Sequence, residues 1–186
     1  MLYGQRVTLR RVVEEDWEKR YEWLSDPVVN RTLPSGSGMP LTPEVVRERT
    51  RKYAQTDLSS VYFTIIKEDG IPIGNTQLFN IHPWSKHAEF GIWIGDKMVW
   101  GQGYATEVTG VVLDFAFERL NLHKVYLTVD ADNPGAIRSY EKAGFNKDGI
   151  LRDEVYKNGQ YVDRIMMSIL KHEYLKLSSG SKQQCI

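Results

Sequence analysis

The stretch that decides the fold is Ile92-Trp93-Ile94-Gly95, followed from Trp100 by Trp100-Gly101-Gln102-Gly103-Tyr104-Ala105-Thr106-Glu107. An apolar segment of strand character ends, two glycines make a bare turn, and an amphipathic helix begins at once. The first N–H groups of a helix lack intrahelical partners and the helix dipole adds partial positive charge, so such a turn suits an anion. Gly101 and Gly103 let the main chain approach a phosphate with no Cβ in the way. A Gly-x-Gly by itself is equally a plain strand-to-helix turn. Its meaning depends on what flanks it.

Upstream, residues 6–10 alternate polar and apolar as a half-buried strand does, and Trp17, Tyr21 and Leu24 follow at helical spacing until Asp26-Pro27. Ser35-Gly36-Ser37-Gly38-Met39-Pro40 reads as a flexible loop. Thr42 is placed to cap a second helix with Pro43 in its first position; that helix runs to about Gln55 with Val45, Val46, Arg49 and Tyr53 on one side. Strands are expected over 61–67 and 73–81, joined by the turn Glu68-Asp69-Gly70. In the next, Ala88, Phe90, Ile92 and Ile94 alternate with Glu89, Gly91 and Trp93.

Downstream, the helix over 104–119 puts Val108, Val111, Val112, Phe115 and Ala116 inward. Val125, Leu127 and Val129 mark a strand, Asn133-Pro134 opens a short helix to Ala143, and Gly144 closes it. Residues 150–157 and 161–170 flank Asn158-Gly159, a strong hairpin signal. The order is β-α-α-β-β-β-α-β-α-β-β. With a single central βαβ crossover, this predicts an α/β (α+β) fold whose mixed central sheet is mostly antiparallel, with helices on both faces.

The bulk numbers exclude several classes. A chain of 186 residues fits one domain, expected over 1–175, with 176–186 as a disordered tail. Lys plus Arg equals Asp plus Glu at 24 each, so no overall field favours nucleic acid, and none is expected as a partner. The single cysteine, Cys185, rules out an internal disulfide framework and a cysteine acyl-enzyme at a structured site. With no apolar signal core and no run of membrane-spanning length, the expected location is cytoplasmic, without membrane contact. No ligand cluster has metal spacing, so no metal is expected. A dinucleotide oxidoreductase fits poorly, because Thr106 stands where its third glycine belongs and hairpins replace repeated βαβ units.

The glycine turn, together with Asn133-Pro134-Gly135-Ala136-Ile137-Arg138-Ser139-Tyr140-Glu141-Lys142-Ala143-Gly144-Phe145, resembles the acetyl-CoA-dependent GNAT N-acetyltransferases. It is most similar to the branch holding ribosomal-protein N-terminal acetyltransferases and spermidine acetyltransferases. The resemblance implies a single-domain GNAT-like fold with a splayed strand pair that takes acetyl-CoA as cosubstrate. The diphosphate then lies on Gln102, Gly103, Tyr104, Ala105 and Thr106, and the backbone of Ile92, Trp93 and Ile94 holds the pantetheine arm. The matching asparagine, Asn133, contacts that arm, and Tyr140 matches the acid tyrosine. Trp100 departs from the Gln or Arg common in the family, which leaves the first polar contact of the loop open. A homodimer is compatible with the family.

Chemistry sets the roles. The acceptor amine must lose a proton before it attacks, since a lysine-like amine has a pKa of about 10.4. The thiolate that departs needs a hydrogen bond or a proton. A phenol stays protonated at neutral pH and can supply it, so Tyr140 is the candidate acid, although it also continues the apolar helix face of Ala136, Ile137 and Ala143. Glu89 is the candidate base, or else an ordinary strand-end charge; His82 and His87 rank below it. Trp84, Trp93 and Trp100 either line a pocket or serve as core. Glu14, Glu15, Asp16, Glu44 and Glu48 either attract a cationic acceptor or form solvated helix faces. The expected partner is an amine-bearing acceptor, a polyamine-like small molecule or a protein N-terminus. The alternative is a non-catalytic acyl-CoA sensor on the same fold.

Overall fold

The computed structural model describes residues 1–33, 41–55, 57–157 and 159–182; the loop expected at 35–40 and Asn158 of the hairpin signal lie outside them. Among the described residues eight strands form one sheet, β1 (Leu2–Tyr3), β2 (Val7–Arg11), β3 (Val61–Lys67), β4 (Pro72–His82), β5 (His87–Ile94), β6 (Lys124–Asp130), β7 (Asn146–Lys157) and β8 (Gln160–Leu170). Their order across the sheet is β1-β2-β3-β4-β5-β6-β8-β7. Only β5 and β6 run parallel, and the helix that joins them is the central crossover read from the sequence. All other pairings are antiparallel.

The helices are α1 (Trp17–Ser25), α2 (Pro27–Asn30), α3 (Pro43–Ala54), α4 (Tyr104–Asp114), α5 (Pro134–Lys142) and α6 (Lys171–Lys182). They cover both faces. Successive residues Tyr62 and Phe63 of β3 point to opposite sides of the sheet. Tyr62 stacks on Tyr53 of α3 at 4.3 Å, while Phe63 meets Phe115 just beyond α4 edge to face at 5.9 Å. The main core lies on the second side, where Leu9, Ile65, Leu78 and Ala88 pack under Val108, Val112 and Ala116.

Three expectations need correction. Helix α4 does not run regularly to residue 119: it passes into a π-helical turn over Phe115–Arg119, in which Ala116 and Phe117 are buried. On α3, Val46 and Thr50 face inward, whereas Val45 and Arg49 are exposed. The tail expected from residue 176 is helical through Lys182 as part of α6, and residues 183–186 lie outside the described residues.

Candidate active site

Strands β5 and β6 pair only through His87 with Lys124, Ala88 with Val125 and Glu89 with Tyr126. Beyond Glu89 they part, so the remaining main chain of β5 on that side has no strand partner. The wedge they leave is a cleft of about 480 Å³. Ile92, Trp93 and Ile94 form one wall, Thr128 and Val129 the other, and the ends of α4 and α5 close over it.

The glycine turn lies at the mouth. Gly101 and Gly103 both adopt left-handed backbone, φ 74° and 83°, which a residue with a Cβ enters only with strain. Gly103 is the N-cap of α4, and the first intrahelical bond runs from the Glu107 N–H to its carbonyl. The N–H groups of Tyr104, Ala105 and Thr106 therefore have no intrahelical acceptor, and all three residues line the cleft with Gly101 and Gly103. Two cations on α5, Arg138 and Lys142, line it as well. Sequence reasoning passed over both. Their spacing of four on a helix that opens at Asn133 was the available signal.

Gln102 does not join this cradle. Its side chain donates to the Met98 carbonyl at 2.8 Å, and it is not among the lining residues. Trp100 replaces it at the wall: its indole Nε1 donates to the Ile94 carbonyl at 2.9 Å. The residue that departed from the family pattern thus closes the end of β5. Trp93 packs edge to face on Trp23 at 5.7 Å, and Gly95 leaves the room Trp23 needs, since a Cβ there would collide with the Trp23 ring.

Asn133 and Tyr140 both line the cleft. The Asn133 side chain caps α5, accepting from the Ala136 N–H at 3.1 Å. Tyr140 is only 8% exposed, with Phe90 and Phe145 at 6.2 and 6.0 Å. Desolvation pushes its phenol up to about 12, so it remains a proton donor throughout the neutral range. Its hydroxyl has no hydrogen-bond partner among the described residues. Next to it, Ser139 and Thr106 share a hydrogen bond of 2.9 Å that ties α5 to the first turn of α4.

Other candidates stand elsewhere. Glu89 sits where the wedge closes, accepts from Asn80 Nδ2 at 3.1 Å, and is not a lining residue. Burial, and then the Glu89 charge, raise the phenol of its neighbour Tyr126. His82 and His87 stack on one another at 5.2 Å, outside the cleft. Trp84 is 88% exposed and far from a pocket role. Asp16 is held by Arg10 and Thr64, Glu14 pairs with Arg47, and Glu48 lies near Arg51 and Lys52, while Glu15 and Glu44 are exposed. None of these carboxylates lines the cleft. The carboxylate that does, Asp130, is 4% exposed and bound by Lys157 at 3.0 Å and Arg164 at 3.2 Å.

Comparison with known proteins places this geometry. The family profile described as acetyltransferase (GNAT) domain matches residues 6–146. An uncharacterized N-acetyltransferase, p20, of Bacillus licheniformis is 32% identical over 180 residues, covering 93% of this chain and 97% of that protein. The spermidine N(1)-acetyltransferase of Escherichia coli (strain K12) is 40% identical over 111 residues, 60% of this chain and 59% of that enzyme. Among solved structures, spermidine N-acetyltransferase from Vibrio cholerae, in complex with CoA and spermine, superimposes with a TM-score of 0.81 at 29% identity, covering 92% of this chain and 99% of that one.

Proposed function

The chain belongs to the GNAT acetyltransferase family, whose cosubstrate is acetyl-CoA, and from that premise we propose direct acetyl transfer to a primary amine, of a polyamine-like small molecule or a protein N-terminus. The similarity to spermidine acetyltransferases makes polyamines the first acceptors to try. One observation carries the site assignment: the β5–β6 pairing ends at Glu89 and Tyr126, which opens one cleft lined by both the glycine turn and Tyr140.

In this reading the N–H groups of Tyr104, Ala105 and Thr106 receive the diphosphate, as the first turn of a helix does, with Arg138 and Lys142 adding positive charge. The freed main chain of β5 orients the pantetheine arm, and Asn133 borders it. The amine nitrogen attacks the thioester carbonyl carbon, the N–C bond forms and the C–S bond breaks. The amine proton passes to solvent. A base role for Glu89 requires relay through water, since Glu89 stands behind the cleft. Tyr140 donates to the sulfur as it leaves. Direct transfer needs two substrates in one cleft and no thiol from the protein.

The test is calorimetric titration of CoA combined with thiol release from acetyl-CoA in the presence of spermidine, aminoglycosides, amino acids and N-terminal peptides. Release with an amine supports transfer and identifies the acceptor class. CoA binding with no release from any amine would favour the non-catalytic acyl-CoA sensor instead.

A further inference from the structure

Arg6, in the turn before β2, touches three parts of the glycine turn at once. Its Nε donates to Glu107 Oε2 at 2.8 Å, and its backbone N–H donates to Glu107 Oε1 at 2.7 Å. Its Nη1 donates to the Gln102 carbonyl at 3.1 Å, and the guanidinium carbon lies 4.4 Å above the Tyr104 ring. Gly4 makes the arrangement possible, because a Cβ there would fall 2.8 Å from Glu107 Oε1. Residues a hundred positions apart are thus joined at the N-terminus of α4, although Arg6 itself does not line the cleft.

Glu107 poses an electrostatic problem for the site. A carboxylate in the first turn of a helix is favourable to the helix dipole. The same partial positive charge has to attract the diphosphate, and an unpaired carboxylate beside it would repel one. Arg6 removes the conflict by occupying both carboxylate oxygens, and its bond to Gln102 fixes the carbonyl of the turn. We propose that Arg6 is a positioning residue for acetyl-CoA: it neutralises Glu107 and holds the glycine turn so that the N–H groups of residues 104–106 stay available to the diphosphate. The inference rests on the acetyl-CoA reading above.

CoA is titrated into the unsubstituted protein, Arg6→Gln, Arg6→Lys and the double variant Arg6→Gln/Glu107→Gln, with thermal melts to verify folding. Arg6→Gln is expected to weaken CoA about five- to twentyfold, the size of one uncompensated charge at a helix terminus. Its KM for acetyl-CoA should rise in step, with little change in kcat once saturated. The double variant removes the repelling charge and should recover most of the lost affinity, and Arg6→Lys should retain most of it. Full CoA affinity in Arg6→Gln would overturn the proposal. So would a double variant as weak as Arg6→Gln, which would mean that Arg6 acts other than through Glu107. If Arg6→Gln does not fold, Arg6→Lys decides: a loss of CoA affinity as large as that expected for Arg6→Gln, with the charge kept, overturns charge neutralisation. Failure of the unsubstituted protein to bind CoA would overturn the acetyl-CoA reading and this inference together.

Discussion

Tyr140→Phe removes one oxygen from a site in which that oxygen bonds to no described residue, so the substitution separates chemistry from folding. The ring keeps its contacts with Phe90 and Phe145. The magnitude follows from the proton balance. Burial holds the phenol at about 12, whereas an ordinary thiol titrates near 8.5. Complete transfer from phenol to thiolate is thus uphill by roughly 3.5 units, or about 5 kcal/mol. Tyr140 acts mainly by donating a hydrogen bond to the negative charge growing on sulfur. A charge-assisted hydrogen bond contributes about 1.5–3 kcal/mol, so kcat should fall about ten- to hundredfold, toward the low end for a positioned acid. The assay is initial-rate thiol release at saturating acetyl-CoA, with CoA affinity and melting temperature measured on the same preparation. Both of those should stay near the parent values. A kcat within twofold of the parent refutes the reasoning, and a drop beyond about 10³ refutes the hydrogen-bond-only version of it. The sign of the pH dependence is also fixed. A phenol raised from its ordinary value favours the folded state fully below about pH 10, and that contribution is lost as pH rises toward 12. Tyr140 should therefore give no alkaline limb to the rate profile below about pH 10.

Gly103→Ala forces a Cβ into φ 83° at the N-cap of α4 and should cost about 1 kcal/mol of stability in urea titration, with weaker CoA binding by calorimetry. Arg20 is 8% exposed, stacked on Tyr53 and Trp93 at 5.0 and 5.4 Å, and its Nε has no hydrogen-bond partner among the described residues. Arg20→Met keeps the stem and discards the desolvated charge, so melting temperature should hold or rise; a fall of several degrees would contradict this. Asp130→Asn takes from Lys157 one of its two carboxylates, since Asp132 stays at 2.9 Å, and from Arg164 the carboxylate at 3.2 Å, and should destabilise by about 1–3 kcal/mol in urea. Burial works against ionisation of Asp16, but hydrogen bonds from Arg10 and Thr64 outweigh it and hold the carboxyl below its ordinary value. That stability is present above the ordinary value of 3.8 and lost as pH falls below it. Thr64→Val should shrink the acid loss seen between urea titrations at pH 5 and pH 3.

The glycine turn shows why some of this was legible in the sequence. Gly101, Gly103, the Asn133 cap and the apolar period of α4 are local: each follows from φ/ψ preferences or from hydrogen bonds within a few residues, and local rules recover them. Tyr140 was ambiguous because one spacing serves both a core face and a cleft face, and it proved to do both. Alternation puts Glu89 on the side of Gly91 and Trp93 and so makes it a candidate base, because alternation gives the side of a strand but not the extent of its pairing. How far along β5 the partner strand continues is set by β6, more than thirty residues away.

The sequence by itself determined the order of the main elements, though not the short β1 and α2 or the terminal α6, and with it the single parallel crossover and the bare helix terminus, since hydrophobic period, caps and turns are written in neighbouring residues. Only the tertiary structure decided where β5 and β6 part, that Asp130 is neutralised by Lys157 and Arg164 from the last hairpin, and that Arg6 and Glu107 meet across a hundred residues. Ion pairs and the ends of strand ladders depend on which distant segments packing brings within a few ångströms, and no local pattern encodes that distance.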